Sequence, residues 1–300
     1  MPVHEDARRT VDFIESSYAE GTPFFVNLWL HEPHTPFHTL PEYRQRFPGL
    51  SERDNIYASV LAHADERVGI VLGALDRLNL AGNTLVIFSS DNGPARAQPG
   101  TKLQTMNDTA TGEGYNIAAA KGVTGGRKGY KAALFEGGIG VPFIARWPGK
   151  IGSGKIDRTS LLSAVDLLPT FCEIAKVKLP STYRPDGISQ VSALKGSGQA
   201  RRSKPLFWKT IAPWPARKTK PDHWVSFAVM MENWKLVANR SVDYVELYDL
   251  ESDPLEAVNV ADKHEKEVRR LRTMLEEWKA SLPARPTGKV FSRLRDKGKP

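Results

Sequence analysis

The sequence predicts an α/β domain followed by a smaller α+β unit. Three observations carry that prediction. In the first two-thirds, apolar runs of strand length alternate with longer stretches of helical period. From Gly187 to Arg202 the composition shifts to Ser, Gly, Lys and Arg, which marks a boundary. Beyond it lie short segments suited to an antiparallel meander, then one amphipathic helix. The expected layout is a first domain over 1–195, a C-terminal antiparallel-sheet-plus-helix subdomain over 203–282 and a basic tail over 283–300.

Each element has its own warrant. The chain opens in a helical pattern, with Ala7, Val11, Phe13 and Ile14 in register. Residues 23–30 are nearly all apolar and read as a strand buried on both faces. Residues 53–78 carry one apolar stripe, Ile56, Val60, Ala64, Val68, Val71, Leu72, Leu75 and Leu78, and read as a long helix. Residues 84–90 read as a second buried strand that stops at the turn Asp91-Asn92-Gly93-Pro94. Ala95 to Gly129 is long, polar and glycine-rich, a length usual in loops that carry function. Val141 to Arg146 is a third strand, and Asp166 is expected to cap a helix reaching about Val177, with Pro169 in its first turn. In the last third, Trp224–Val229, Trp234–Ala238 and Tyr244–Tyr248 read as strands. A final helix after Asp262, with Glu265 completing a capping box, presents Val268, Leu271, Leu275 and Trp278.

Composition narrows the classes. With 40% hydrophobic and 25% charged residues, the 300-residue chain is an ordinary globular sequence. No apolar run approaches the ~20 residues of a membrane-spanning helix. The single cysteine, Cys172, excludes an internal disulfide and a cysteine-based metal site, and its apolar neighbours suit a buried thiol. The formal charge of +8 would favour an anionic ligand, although Arg293 to Lys299 hold much of the surplus.

Four residues stand out chemically. Asp91 and Asn92 place a carboxylate and an amide just after a buried strand, where α/β sheets bind ligands. That pair is half a ligand set for Ca²⁺ or Mg²⁺, and equally a good turn. His34, with His31 in His-Glu-Pro-His-Thr-Pro, suits proton donation or simple packing on proline. Lys131, flanked by Gly129 and by Glu136-Gly137-Gly138, suits stabilisation of an anion or a solvated loop position.

Together these segments resemble the sulfatase family. The carriers are Pro23-Phe-Phe with Pro33-His34-Thr-Pro36; Ser90-Asp91-Asn92-Gly93; Lys131 with Glu136-Gly-Gly and Val141-Pro142; Asp166-Leu-Leu-Pro-Thr170 with Asp186-Gly187; and Leu247-Tyr-Asp-Leu250 with Asp253-Pro254, Glu256 and Asn259. The resemblance implies an alkaline-phosphatase-like sandwich, incomplete at its N-terminus, plus a smaller C-terminal subdomain. It implies a divalent cation, usually calcium with magnesium possible, on Asp91 and Asn92. It implies sulfate contacts from His34 and Lys131, with His34 a candidate proton donor. The substrate would be a sulfate ester, a sulfated carbohydrate among the options, with no nucleic-acid partner and no membrane span. The full-length parent would be periplasmic or secreted.

The family's formylglycine nucleophile arises from a C/S-x-P-x-R motif before the histidine loop. This chain has no such motif upstream of His34 and no accompanying Asp-Asp pair. Ser281-Leu-Pro-Ala-Arg285 fits the short pattern but follows the last helix. The formylglycine is therefore expected in a missing N-terminal segment, and the isolated chain is expected to be inactive. Two other readings stay open. One is a non-catalytic relative that binds an anionic glycan or a partner. The other is a phosphatase or phosphonate hydrolase of the same superfamily.

Overall fold

The computed structural model describes residues 5–95, 97, 100–108, 112–196, 202–210 and 221–283. The chain divides into two compact units: residues 1–131, 137–160 and 191–200, and residues 132–136, 161–190 and 201–300. Residues 161–190, expected with the first domain, thus belong to the second unit. The expected basic tail falls almost wholly outside the described residues.

In the first unit, α1 (Asp6–Ala19) buries Ala7, Thr10, Ile14 and Ser17, and leaves the expected stripe residue Phe13 49% exposed. Helix α2 (Pro41–Arg44) is a single turn. Helix α3 (Glu52–Arg77) matches the long helix, and Ser51 caps it by accepting from the Asp54 N–H. Its buried face holds Ile56, Val60 and Leu75 from the expected stripe, and also Asn55 and His63. Ile56 and Val60 pack with Phe37, Ala119 and Ala120 into a core cluster.

Strands β1 (Val86–Ser89) and β4 (Phe143–Arg146) pair antiparallel, with Phe88 opposite Ile144. Strands β2 (Thr105–Asp108) and β3 (Gly112–Tyr115) form a second antiparallel pair. A one-turn helix, α4 (Glu136–Ile139), precedes β4.

Two expectations about burial are corrected. The run 23–30 forms no helix and enters no sheet among the described residues. Its residues alternate between half-buried and exposed, with Phe25 68% and Trp29 79% exposed. The strand at 84–90 shortens to β1, where Phe88 is 45% exposed. An apolar run reports hydrophobicity, not what lies over each face. Burial of each face depends on residues that periodicity does not name.

In the second unit, α5 (Leu167–Ile174) ends three residues before the expected stop, with Pro169 buried in its first turns. Helix α6 (Val191–Leu194) is again one turn and belongs to the first unit. Strands β5 (Leu206–Lys209), β6 (Phe227–Met231), β7 (Trp234–Ala238) and β8 (Val245–Asp249) form an antiparallel sheet in sequence order. Strand β5 was not anticipated, because four residues give too little alternation to read. Helix α7 (Glu265–Ser281) lays Leu271 and Leu275 on Phe227, Val229, Leu236 and Leu247. Trp278 of α7 stacks on Phe207 of β5 with ring centroids 4.9 Å apart. The expected capping box at Glu265 does not form. His264 occupies the N-cap and makes no side-chain cap bond, since a 3-10 turn at Ala261–Lys263 already ends there. The opposite sheet face is also buried: Phe135 meets the Tyr248 ring edge-on at 6.1 Å.

Candidate active site

The Asp91 loop is held by close backbone approach. The Gly93 N–H donates to the Gly138 carbonyl at 2.8 Å, and the Lys131 N–H donates to the Pro94 carbonyl at 3.0 Å. These two bonds join the segment carrying Asp91 and Asn92 to the segment carrying Lys131. Glycine is required for that contact: a Cβ on Gly93 would sit 2.0 Å from the Gly137 carbonyl oxygen, and one on Gly137 would sit 2.2 Å from the Gly129 oxygen. Glu136-Gly-Gly is thus more than a turn. It is the seat on which the Asp91 loop rests.

Local bonds orient the two candidate metal ligands. Asp91 Oδ1 accepts the Asn92 N–H at 2.9 Å, and Oδ2 has no partner among the described residues. Asn92 Nδ2 donates to the Gly93 carbonyl at 3.0 Å, which leaves Oδ1 of that amide as an available acceptor. One carboxylate and one amide oxygen match a hard cation in donor type. They do not match it in number: among the described residues no group of three or more His, Cys, Asp or Glu side chains converges as a metal site would.

His34 lies in the loop pinned at Phe37, whose N–H and C=O pair with Tyr115 of β3. The His34 Nδ1 sits 2.7 Å from the Thr35 carbonyl. A carbonyl only accepts, so Nδ1 carries a proton and Nε2 is the nitrogen left to exchange one. His34, His31, Glu32 and His38 line a small cavity of about 20 Å³, room for roughly one water. No hydrogen bond or ion pair among the described residues links the His34 ring to Asp91, Asn92 or Lys131. The Lys131 ammonium likewise has no ion pair or hydrogen bond among them.

Sequence reasoning missed three buried polar pairings. Glu32 pairs with His63 of α3, and both side chains are almost fully buried. The available signal was a histidine three residues after Val60, on the apolar face of α3. Asp166 does not cap α5. Its carboxylate accepts from the Ser163 and Ile188 N–H groups and pairs with buried Arg202 at 2.6 Å. Lys235, fully buried in β7, bridges Glu136 and Glu256 at 2.8 Å each. A lysine between Trp234 and Leu236 in an otherwise apolar strand was the readable sign. Cys172, expected buried, is only partly so.

The C-terminal signature also acquires a physical account. Glu256, at φ 57°, reaches Lys235 and accepts the Glu136 N–H at 2.6 Å. Asn259 Oδ1 accepts from the Leu247 and Ala261 N–H groups, tying the following turn to β8.

Comparison with known proteins agrees with this layout. A family model described as Sulfatase matches residues 4–177, more than half the chain. The chain belongs to the sulfatase family. A second model, N-sulphoglucosamine sulphohydrolase, C-terminal, matches residues 127–281 of the chain. N-acetylgalactosamine-6-O-sulfatase from Bacteroides thetaiotaomicron is 28% identical over 270 residues, covering 86% of this chain and 47% of that protein. Bovine arylsulfatase A is 32% identical over 197 residues, covering 66% of this chain and 34% of that enzyme. The chain therefore spans half or less of these relatives. A B. thetaiotaomicron sulfatase structure described under metabolism of multiple glycosaminoglycans superposes with a TM-score of 0.67 at 26% identity, over 91% of this chain and 53% of that one. Ps i-CgsB, solved with a neocarrahexaose, superposes with a TM-score of 0.72 over 99% of this chain and 60% of that one; at 23% identity it bears on the fold alone. The fold is accordingly the mixed α/β, alkaline-phosphatase-like sulfatase fold with a C-terminal sheet-and-helix unit. The family is in general metal-dependent.

Proposed function

We propose that this chain forms the rear part of a sulfate-ester hydrolase that acts on a sulfated carbohydrate. Asp91 and Asn92 supply two oxygen ligands to a divalent cation, calcium or alternatively magnesium. Lys131 contacts a sulfate oxygen, and His34 protonates the leaving oxygen through Nε2. The nucleophile is a formylglycine on a segment equivalent to the part of its relatives that this chain does not span. The α/β domain over 1–195 and the C-terminal sheet-and-helix subdomain over 203–282 remain part of this proposal.

The observation that carries the reading is the pair of backbone bonds, Gly93 to Gly138 and Lys131 to Pro94, that couples the Asp91 loop to the Lys131 segment. Sulfate-ester cleavage builds negative charge on the sulfate oxygens and on the leaving alcohol. A bound cation would supply positive charge toward those oxygens. Lys131 adds a charge of its own, and the Thr35 carbonyl orients the His34 ring by accepting from Nδ1.

The test is the reading frame upstream of Met1. An open frame with a C/S-x-P-x-R motif and an Asp-Asp pair, whose product releases sulfate and loses that activity on Lys131→Ala or His34→Ala, supports the proposal. An in-frame stop close to Met1, with no partner gene carrying that motif, defeats it.

A further inference from the structure

The buried pair of Glu32 and His63 stands at an informative place in the chain. Glu32 comes two residues before His34, in the loop that carries the candidate proton donor. His63 lies on the buried face of α3, with its side chain 3% exposed and that of Glu32 5%. His63 Nδ1 is 2.5 Å from Glu32 Oε1. At that separation a proton sits between the two groups, and burial leaves little solvent to screen their attraction. His63 is itself held in place. The buried Tyr43 ring meets the imidazole edge-on, with centroids 5.0 Å apart. Three residues earlier on the same helix face, Val60 packs with Phe37 in the core. Helix α3 therefore grips the histidine loop on both sides of His34, at Glu32 through charge and at Phe37 through apolar contact.

The bonds of His34 itself do not fix its place. Its ring bond runs to the carbonyl of its neighbour Thr35, and its N–H donates to the His31 carbonyl at 2.9 Å. Both bonds stay within the loop, and the side chain is exposed. They set the ring relative to its own backbone, and the backbone is placed by the buried residues on either side. Toward the C-terminal side, Phe37 exchanges backbone bonds with Tyr115 at 2.8 and 3.0 Å. Toward the N-terminal side, Glu32 meets His63. An ion pair buried this deeply adds little stability over apolar side chains of the same volume, because desolvation offsets the attraction. What it does supply is a single position for the loop, since a displaced carboxylate would lie buried without its partner.

We propose that Glu32 and His63 are positioning residues, whose buried pair fixes the backbone of the histidine loop so that His34 Nε2 meets the leaving oxygen of the sulfate ester. The proposal rests on the reading of His34 as proton donor, but its first test does not. Amide hydrogen exchange would be followed by NMR in the 300-residue chain and three variants. His63→Phe keeps a ring beside Tyr43 and removes the polar nitrogens. Glu32→Gln/His63→Phe does the same without stranding a carboxylate, which guards against unfolding. His63→Gln keeps an N–H for Glu32. The His34 and Phe37 amides should exchange roughly tenfold faster in both Phe variants, with His63→Gln between these and the parent and the β7 amides unchanged. In the complete frame, Glu32→Gln/His63→Phe should lower kcat for a sugar sulfate about tenfold, as expected for a misplaced acid, with KM little changed. A nitrophenyl sulfate, whose phenolate departs without a proton, should be hydrolysed as before. Unchanged exchange at His34 and Phe37 in the double variant, or an equal rise in the β7 amides, overturns the proposal. So does an equal loss on both esters, if His34→Ala loses the sugar ester selectively. Equal loss on both esters in His34→Ala defeats the reading of His34 as acid instead, and the exchange rates then decide whether the pair holds the loop.

Discussion

Lys235→Met removes the positive charge that, among the described residues, pairs with two carboxylates in a buried site. Lys235 is 0% exposed, the Glu256 side chain 0% and that of Glu136 17%. The Lys235 ammonium lies 2.8 Å from each. Removing one member of a buried ion cluster strands the others, at a cost of about 3–5 kcal/mol. For a unit of this size each kcal/mol moves the midpoint by roughly 3–4 °C, so the second unit should melt about 10–20 °C lower. The assay is thermal unfolding followed by circular dichroism at pH 7.5. Lys235→Met/Glu256→Gln, which removes a charge of each sign, should recover at least half the loss, because the penalty comes from the stranded carboxylate and not from the missing methylenes. A single variant within about 3 °C of the parent, or a double variant no better than the single, would refute the argument that this cluster is held by its buried lysine.

Other predictions concern pH, chemistry and exposure. Burial raises the Glu256 carboxyl above its ordinary 4.5, against the pull of Lys235. The folded protein thus binds that proton to higher pH than the unfolded chain does. The stabilisation is full below about pH 4.5 and declines as pH climbs through the raised value. Glu256→Gln should flatten that decline, which denaturant midpoints between pH 4.5 and 7 would reveal. The 300-residue chain alone should release no sulfate from an aryl sulfate above a buffer control; turnover that His34→Ala or Lys131→Ala abolishes would contradict the placement of the nucleophile elsewhere. In the complete frame, Asp91→Ala should shift the calcium dependence of sulfate release to concentrations at least tenfold higher, since one of few carboxylate ligands is lost; full activity after exhaustive chelation would remove the metal assignment. Phe25→Ser/Trp29→Ser should cut binding of a hydrophobic dye by the isolated chain, because both rings are mostly exposed; unchanged fluorescence would place the apolar surface elsewhere.

The identity of the local elements was legible in the sequence. A stripe with helical spacing such as Ile56, Val60 and Leu75, or a Leu271–Leu275 pair, expresses itself within a few turns and needs no distant partner. Turn chemistry at Asp91-Asn92-Gly93-Pro94 is equally local. As expectations, Asp91 and Asn92 stand out because they follow the end of β1, Lys131 because glycines flank its segment, and His34 because of the His-Pro pattern of its loop.

What the sequence could not decide was which faces are covered and which charges are paired. Phe25 and Trp29 look like core in the sequence, yet their rings are 68% and 79% exposed, because hydrophobicity alone does not say what packs on a face. Glu136 lies 99 residues from Lys235 and 120 from Glu256 along the sequence, and no local rule brings it to a buried lysine and a second carboxylate. Glycine at 93 and at 137 reads as flexibility in one dimension, whereas in three it is the absence of two Cβ atoms that would otherwise keep the Asp91 loop from its seat. Short-range periodicity determined the elements; close approach and buried charge, which depend on contacts between remote segments, were decided only by the tertiary structure.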